Sequence, residues 1–301
     1  MTYEILDPRF NKLIFGPARL EKLHTGMRWA EGPVYVPAAK SLLWSDIPNN
    51  RLMRFDETDS SVSVFEYPCG NQNGHTLDHQ GRVIACEHSG RRVSRLEHDG
   101  TWTNLVDNFQ GKRLNSPNDA IVKSDGSIWF TDPTYGIDTE YEGDAAESEI
   151  GSSDVYRLDP ETGEMTMVVS DLLKPNGLAF SPKEDLLYIA DTGFSHDPLC
   201  TPKIVTYTVA TDGRSVSRKD VFATMEGGLY DGFRVDRSGN IWTSAGEAVA
   251  IYAPDGVMIG RIPIGEIVAN VTFGGPKRNR LYITAQTSLY SIFVNAHPAG
   301  S

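Results

Sequence analysis

The sequence predicts an all-β fold, a six-bladed β-propeller with four-stranded antiparallel blades around a central channel. One observation is a phrase that recurs six times, in which a turn is followed by apolar residues and then by a small or acidic residue. A second is that each copy follows a short segment of alternating apolar residues, as in a β-hairpin. A third is the near absence of helical periodicity, because Gly and Pro interrupt the chain about every ten residues.

The copies of this phrase are distributed along the whole chain. They are residues 38–46, 79–87, 124–132, 183–191, 237–245 and 277–285. The preceding segments supply the first strand of each hairpin, and they are residues 31–36, 73–78, 117–122, 175–180, 231–236 and 270–274. Further β-rich segments follow most copies, and four short strands repeated every ~40 to 60 residues are typical of propeller blades. We expect residues 1–301 to form one domain, with residues 18–26 adding the outer strand that closes the ring.

Composition and charge argue against several classes of function. The chain has 301 residues, a formal net charge of −12 and no long Lys/Arg cluster, which argues against nucleic acid as a partner. No apolar run approaches the ~18 residues of a membrane span, so no membrane association is expected. The three cysteines, Cys69, Cys86 and Cys200, show no disulfide or zinc spacing, and the N-terminus lacks a secretory pattern. We therefore expect reduced thiols and a cytoplasmic location.

Polar residues open the first strand of each predicted blade. In a propeller these strands line the axis, so their leading residues should face one another across the channel mouth. The residues are Glu31, Asn73, His75, Asn118, Asp119, Asn176, Asp231 and Asn270. A buried polar group without a partner costs about 1 to 3 kcal/mol, so carboxylates and carboxamides directed at one point predict a bound cation.

The donor types narrow the identity of this cation. Carboxylate and amide oxygens without a Cys or an obvious His pair suit Ca²⁺, Mg²⁺ or Mn²⁺ better than a structural Zn²⁺. We expect one divalent ion. Ca²⁺ is favoured, and Mg²⁺, Mn²⁺ and Zn²⁺ are the alternatives. Single residues have simpler interpretations: Asn176-Gly177 and Asp231-Gly232 are also common turn dipeptides, and His75 fits a hydrogen-bonded wall residue as well as a base.

At these residues the chain closely resembles the family of senescence marker protein (regucalcin), gluconolactonase and luciferin-regenerating enzyme, and most of all its bacterial gluconolactonase-like members. The matching phrases are residues 28–36, 70–88, 113–136, 174–182 and 231–242, and they span nearly the whole chain. The resemblance implies a six-bladed propeller that hydrolyses sugar lactones with one divalent cation. The expected partner is then a small sugar lactone, and the protein is expected to be a monomer or a homodimer.

The resemblance also implies roles for individual residues. The metal-binding Glu, Asn and Asp of the family fall on Glu31, Asn176 and Asp231, and the Asp is also the proposed base. The Asn that contacts water or substrate beside the metal falls on Asn118. The family Arg that binds substrate hydroxyls has no matching phrase here, and Arg113 is the nearby candidate.

Other residues complete the expected site. Asn73 belongs to the same polar ring and is expected to contact substrate. Asp132 and Tyr135, at the end of a strand, are further candidates for contacts with sugar hydroxyls. They lead into the acidic stretch 134–153, which interrupts the third blade as either a lid over the channel or a solvated surface excursion.

Lactone hydrolysis passes through a tetrahedral oxyanion and needs a proton acceptor. Asp231 is the expected base, with His75 second because the intrinsic pKa of imidazole suits proton transfer near neutrality. Two other functions remain open from the sequence. One is hydrolysis of a phosphotriester or an aryl ester on the same scaffold, and the other is a calcium-binding propeller without catalysis.

Overall fold

The computed structural model describes residues 3–300, which form mainly antiparallel β-strands. Two strands precede the repeated sheets, Glu4–Ile5 (β1) and Glu21–Thr25 (β2). The strands of blade 1 are Ala30–Val36 (β3), Ser41–Asp46 (β4), Arg51–Asp56 (β5) and Val62–Glu66 (β6). The strands of blade 2 are Gln72–Leu77 (β7), Val83–Glu87 (β8), Arg92–Leu96 (β9) and Trp102–Val106 (β10).

The chain then forms a small hairpin and two further blades. The hairpin strands are Asn108–Phe109 (β11) and Lys112–Arg113 (β12). Blade 3 contains Ala120–Val122 (β13), Ile128–Asp132 (β14), Asp154–Leu158 (β15) and Met165–Val169 (β16), with a short helix, Tyr135–Asp138 (α1), between its second and third strands. Blade 4 contains Pro175–Phe180 (β17), Leu186–Asp191 (β18), Lys203–Val209 (β19) and Val216–Thr224 (β20).

The last two blades each include a strand from the start of the chain. Blade 5 contains Phe233–Val235 (β21), Ile241–Ala245 (β22), Ala248–Tyr252 (β23) and Met258–Pro263 (β24), and β1 pairs with the outer edge of β24. Blade 6 contains Val268–Gly274 (β25), Arg280–Ala285 (β26) and Ser288–Phe293 (β27), and β2 is its outer strand. Short 3₁₀ turns occupy Pro8–Lys12, Pro37–Ala39, Ile47–Asn49 and Gly193–Ser195.

The first strands of the blades form the inner ring. Each contacts the first strands of its two neighbours, and the ring closes where β25 meets β3. The early strand β2 pairs antiparallel with β27, so Glu21 lies opposite Ser291. The predicted six-bladed propeller and its closure by residues 18–26 are therefore confirmed.

The recurring apolar phrase forms the second strand of every blade because that strand is buried on both faces. Trp129 on β14 packs against Phe180 of blade 4 with ring centroids 5.3 Å apart. Trp242 on β22 packs against Phe273 of blade 6 with centroids 5.6 Å apart. A strand that contacts both neighbouring blades requires a continuous apolar run rather than simple alternation. The core consequently lies between the blades and leaves the axis to polar residues.

Within residues 3–300, no helix has the length and apolar character that crossing a membrane would require.

Candidate active site

A cavity of about 140 Å³ lies at one end of the inner ring. Five of its lining residues come from the polar ring predicted from the sequence, namely Glu31, Asn73, Asn118, Asn176 and Asp231. The remaining wall is formed by Trp29, Ile47, Tyr135, Glu142, Thr192, Ser195 and Leu229. Five blades thus contribute a polar side chain to one small volume.

Close packing of the inner strands explains why glycine follows several of these residues. A Cβ atom on Gly177 would lie 2.3 Å from the Asp231 carbonyl oxygen, and one on Gly74 would lie 2.5 Å from the Asn118 carbonyl oxygen. Neither distance is compatible with a side chain. The Asn176-Gly177 dipeptide, which also fits a turn, therefore lies where two strands approach closely.

Irregularities in strand pairing occur at the same level of the channel. The register shifts after Glu31 in β3, after Gln72 in β7 and after Pro175 in β17. Such bulges bend a strand locally and redirect the side chains beside them. In these three blades the bulges lie beside Glu31, Asn73 and Asn176, which line the cavity.

Glu31 is a buried carboxylate in the cavity wall, with only 4% of its surface exposed. Its Oε2 atom accepts hydrogen bonds from the Gly32 backbone amide and, at 3.1 Å, from Asn270 Nδ2. Burial, together with the negative charge of Asp119, raises the pKa of Glu31 to about 8. The residue is therefore held in position by the protein, but its charge is not neutralised there.

Asp231 is the second carboxylate of the cavity. Its backbone amide donates a hydrogen bond of 2.7 Å to Ser244 Oγ, which fixes the start of the inner strand. Burial raises the pKa of Asp231 well above its ordinary value, and the charges of Glu31 and Glu142 act in the same direction. A hydrogen bond with the Asn176 side chain partly opposes this rise.

Arg234 and Asp119 occupy the next level of the inner ring. Arg234 Nη1 lies 3.4 Å from Asp119 Oδ2 and donates to the Phe233 carbonyl oxygen at 2.8 Å. Its Nη2 atom lies 3.5 Å from the His75 carbonyl oxygen. The guanidinium is thus paired with Asp119, and no Lys or Arg among the described residues lines the cavity itself.

The donor set fits a hard divalent cation. Within residues 3–300, no three His, Cys, Asp or Glu side chains cluster in a way that could hold a metal ion, which argues against a His- or Cys-rich site. Glu31, Asp231 and the amide of Asn176 instead offer two carboxylates and a neutral oxygen, which are ligands typical of Ca²⁺ and Mg²⁺. A dication would neutralise the two carboxylates, whose pKa values burial raises.

The structure places His75 away from the cavity. The side chain is fully buried, its Nδ1 atom lies 2.7 Å from the Gly32 carbonyl oxygen, and its Nε2 atom lies 3.3 Å from Gln72 Oε1. Burial lowers the pKa of His75 to about 4. Of the two interpretations that the sequence left open, this geometry matches the hydrogen-bonded wall residue and not the base.

Two expected substrate contacts are not brought to the cavity. Arg113 is exposed on β12, where Nη2 lies 3.5 Å from the Gly90 carbonyl oxygen. Asp132 is fully buried, and its two carboxylate oxygens accept the backbone amides of Asn115 and Ser116 at 2.9 and 2.8 Å. Neither Arg113 nor Asp132 lines the cavity, so both expectations are corrected.

The role of Asp132 recurs in other blades and explains the acidic residue that ends the repeated phrase. Asp46 accepts the backbone amide of Arg28 at 2.9 Å, and Asp191 accepts that of Lys174 at 3.0 Å. Each of these carboxylates holds the segment that leads into the first strand of its own blade. The acidic residue is therefore a structural feature of the repeat.

The acidic stretch 134–153 forms part of the cavity wall. Tyr135 and Glu142 both line the cavity, and Glu142, which sequence reasoning did not single out, adds a third carboxylate. Burial raises the pKa of Glu142 to about 7. Of the two interpretations of this stretch, its position favours a cover over the channel mouth.

His88 connects this cover to the polar ring. Its Nδ1 atom lies 3.0 Å from the Glu142 carbonyl oxygen, which can only accept, so Nδ1 carries the proton. The other nitrogen, Nε2, then accepts from Asn73 Nδ2 at 3.2 Å. This hydrogen bond fixes the orientation of the Asn73 amide in the cavity wall. The sequence offered no periodic signal for His88, because its partner lies in an irregular segment.

Comparisons with known proteins agree with this architecture. A family model described as SMP-30/Gluconolactonase/LRE-like region matches residues 29–287. A gluconolactonase from Zymomonas mobilis subsp. mobilis is 32% identical over 309 aligned positions, which cover 95% of this chain and 84% of that protein. Pentonolactonase XacC from Haloferax volcanii is 30% identical, and the alignment covers 86% of this chain and 82% of that protein. The solved structure of a gluconolactonase from Xanthomonas campestris is 36% identical, with a TM-score of 0.90. The superposition covers 98% of this chain and 95% of that one.

Proposed function

This chain belongs to the SMP-30/gluconolactonase/LRE-like family, and we propose that it is a lactonase that opens a sugar lactone to the aldonic acid with the help of one divalent cation. The observation that carries the proposal is the pair of buried carboxylates, Glu31 and Asp231, in the wall of one cavity together with the Asn176 amide. The similarity to enzymes named gluconolactonase and pentonolactonase supports a sugar lactone as the substrate.

Glu31, Asn176 and Asp231 would hold the cation. When bound, a divalent ion would supply Lewis-acid chemistry, which would polarise the lactone carbonyl and favour the oxyanion. Calcium is the ion we propose first, because all three ligands are oxygens and none of the described residues that line the cavity is His or Cys.

The remaining polar residues would orient the substrate and accept a proton. The amides of Asn73 and Asn118 and the hydroxyl of Tyr135 line the cavity and can hydrogen bond to sugar hydroxyls. Asp231 accepts the proton of the attacking water in this proposal. Glu142 is the other carboxylate that could take this role, because it lines the cavity and is not among the proposed ligands.

We also propose a cytoplasmic location, because Cys69, Cys86 and Cys200 are free thiols. We further propose that the protein is a monomer or a homodimer.

A substrate panel tests the reaction class. Glucono-, galactono-, xylono- and arabinono-lactones, an aryl ester and a phosphotriester would be followed in a pH-stat with and without added metal. Turnover of sugar lactones in preference to the other two classes is the expected result. Faster turnover of the phosphotriester or the aryl ester would refute the assignment.

The role of Asp231 is tested at saturating metal. Asp231→Asn keeps one oxygen ligand but cannot accept a proton, so kcat should remain about 10²- to 10⁴-fold below that of the wild type. Glu31→Gln is the matched control, because Glu31 is proposed only as a ligand and its turnover should recover as metal is added. Recovery of both variants would move the base to another group, with Glu142→Gln as the next variant.

A further inference from the structure

A chain of hydrogen bonds links the cavity wall to solvent through a serine, a histidine and an aspartate. Ser195 lines the cavity, and its Oγ atom lies 2.8 Å from His196 Nδ1. The other ring nitrogen, His196 Nε2, lies 2.9 Å from Asp138 Oδ2. The His196 and Asp138 side chains are 38% and 32% exposed, so the outer end of the chain is in contact with water.

The three residues come from two separate elements that meet at the rim of the cavity. Ser195 ends the 3₁₀ turn after β18, and His196 follows it directly. Asp138 is the last residue of α1, in the cover formed by residues 134–153. Lys174 Nζ also lies 3.0 Å from Asp138 Oδ2, and this ion pair holds the carboxylate in place opposite the imidazole.

Ser195 differs from the other hydroxyls of the cavity. Thr192 Oγ1 donates to the Tyr230 carbonyl oxygen at 2.8 Å, so its proton is already engaged. Tyr135 bonds to Ser195 Oγ at 2.9 Å. Among the hydroxyls of the described residues that line the cavity, Ser195 alone is hydrogen bonded to an imidazole, which can return a proton to it.

The bonding pattern accommodates a doubly protonated imidazole. With protons on both nitrogens, His196 donates to Ser195 Oγ and to Asp138, and Ser195 donates to the Thr192 carbonyl oxygen at 2.9 Å. Every proton then has an acceptor. A substrate oxygen that replaces Thr192 as the acceptor would receive the serine proton, while the serine is reprotonated by His196.

We propose that Ser195, supplied by His196 and Asp138, protonates the ring oxygen of the lactone as the ring opens. This inference rests on the proposed lactonase function. Collapse of the tetrahedral intermediate breaks the bond between the acyl carbon and the ring oxygen, and the electron pair of that bond goes to the ring oxygen. The ring oxygen takes the proton from Ser195 Oγ, Oγ takes one from His196 Nδ1, and neutral His196 regains a proton from water. An alkoxide is a poor leaving group, which is why a positioned acid accelerates this step.

In this arrangement Ser195 is the catalytic residue, because it touches the substrate, while His196 and Asp138 are positioning residues that act through it. The acid role of Ser195 is separate from the base role of Asp231. Asp231 removes a proton from the attacking water, and Ser195 delivers a different proton to the leaving oxygen. Two groups of opposite function then face the two reacting oxygens.

The test uses His196→Gln in the full-length, metal-loaded protein. The glutamine amide can keep a hydrogen bond to Asp138 but cannot pass on a proton. On glucono-δ-lactone we expect kcat to fall by about a hundredfold with KM nearly unchanged, as for the loss of a general acid. His98→Gln, at an exposed turn in blade 2, is the control and should match the wild type.

Two further readouts separate proton transfer from a merely structural contact. Added imidazole should restore turnover to His196→Ala, because free imidazolium can take the place of the missing ring. A sugar thiolactone has a leaving group that needs no protonation, so His196→Gln should hydrolyse it at the wild-type rate.

Several outcomes overturn the inference. Wild-type kcat in His196→Gln excludes the acid role, as does a loss that imidazole does not restore. An equal fall in the turnover of lactone and thiolactone by His196→Gln would mean that the contact between His196 and Ser195 is only structural. If the wild type hydrolyses none of the sugar lactones, the proposed lactonase function itself is refuted, and with it the acid role that rests on it.

Discussion

Replacing Glu31 by Gln is expected to stabilise the metal-free protein while weakening its metal binding. Glu31 is buried, and its pKa is raised from 4.5 to about 8. Between these two pH values the folded chain retains a proton that the unfolded chain has lost. The free energy of unfolding of the metal-free protein therefore falls as the pH rises through this window.

The magnitude follows from the width of the window. At pH 7 the solution lies 2.5 units above the unfolded pKa of 4.5. Each unit corresponds to ~1.4 kcal/mol, so the carboxyl group costs the metal-free fold about 3 kcal/mol at pH 7 relative to low pH. Glutamine does not ionise and removes this cost, which corresponds to a Tm higher by roughly 5 °C for a chain of this size.

Local hydrogen bonds should survive the substitution. Oε2 of Glu31 accepts from the Gly32 amide and from Asn270 Nδ2, and the glutamine carbonyl oxygen can accept both. The amide nitrogen then turns toward the cavity, where it cannot bind a cation. The same change that stabilises the metal-free protein therefore removes a metal ligand.

Thermal unfolding of metal-stripped protein, followed by circular dichroism between pH 5 and pH 8, measures the effect. The wild-type Tm should fall with pH more steeply than that of Glu31→Gln, and added Ca²⁺ should raise the wild-type Tm much more than that of the variant. Glu161→Gln, at an exposed turn of blade 3, is the control. Equal pH slopes in the wild type and Glu31→Gln would refute the assignment of a buried, uncompensated carboxyl group.

Three other substitutions test the placement of residues around the cavity. Gly177→Ala should lower both stability in urea unfolding and affinity in metal titration, because its Cβ would lie 2.3 Å from the Asp231 carbonyl oxygen. Gly16→Ala is the control and should change neither quantity, because no atom lies within 4 Å of its Cβ position. Arg113→Ala should leave kcat and KM unchanged because Arg113 does not line the cavity, and a large rise in KM would contradict this. Arg234→Met should destabilise the protein by about 3 kcal/mol in urea unfolding, since it leaves the buried Asp119 unpaired, and a second change, Asp119→Asn, should recover much of the loss.

The blades could be predicted because their signal is repeated and local. Each second strand is a continuous apolar run, such as the segment around Trp129. Such a run is typical of a strand that is buried on both faces. The polar residue before each inner strand was predictable for the same reason, since equivalent positions in separate blades meet at the axis. Glu31, Asn176 and Asp231 were found in this way.

The rest of the wall lies in irregular segments, where no period indicates which residue faces inward. Glu142 and Ser195 reach the cavity from loops after the second strands of blades 3 and 4, and their positions depend on tertiary contacts such as the bond from His88 to the Glu142 carbonyl. Asp132 was misassigned because a carboxylate at a strand end fits a binding residue as well as a cap. Only the three-dimensional structure shows that both its oxygens accept backbone amides.

The most direct test of a metal-dependent lactonase is turnover of glucono-δ-lactone by protein shown by elemental analysis to be free of metal. Glu31, Asn176 and Asp231 would hold the ion on which the reaction depends. The metal-free protein is expected to hydrolyse the lactone no faster than the buffer does, and one equivalent of a divalent cation should restore activity. Full turnover by the metal-free protein would contradict the account.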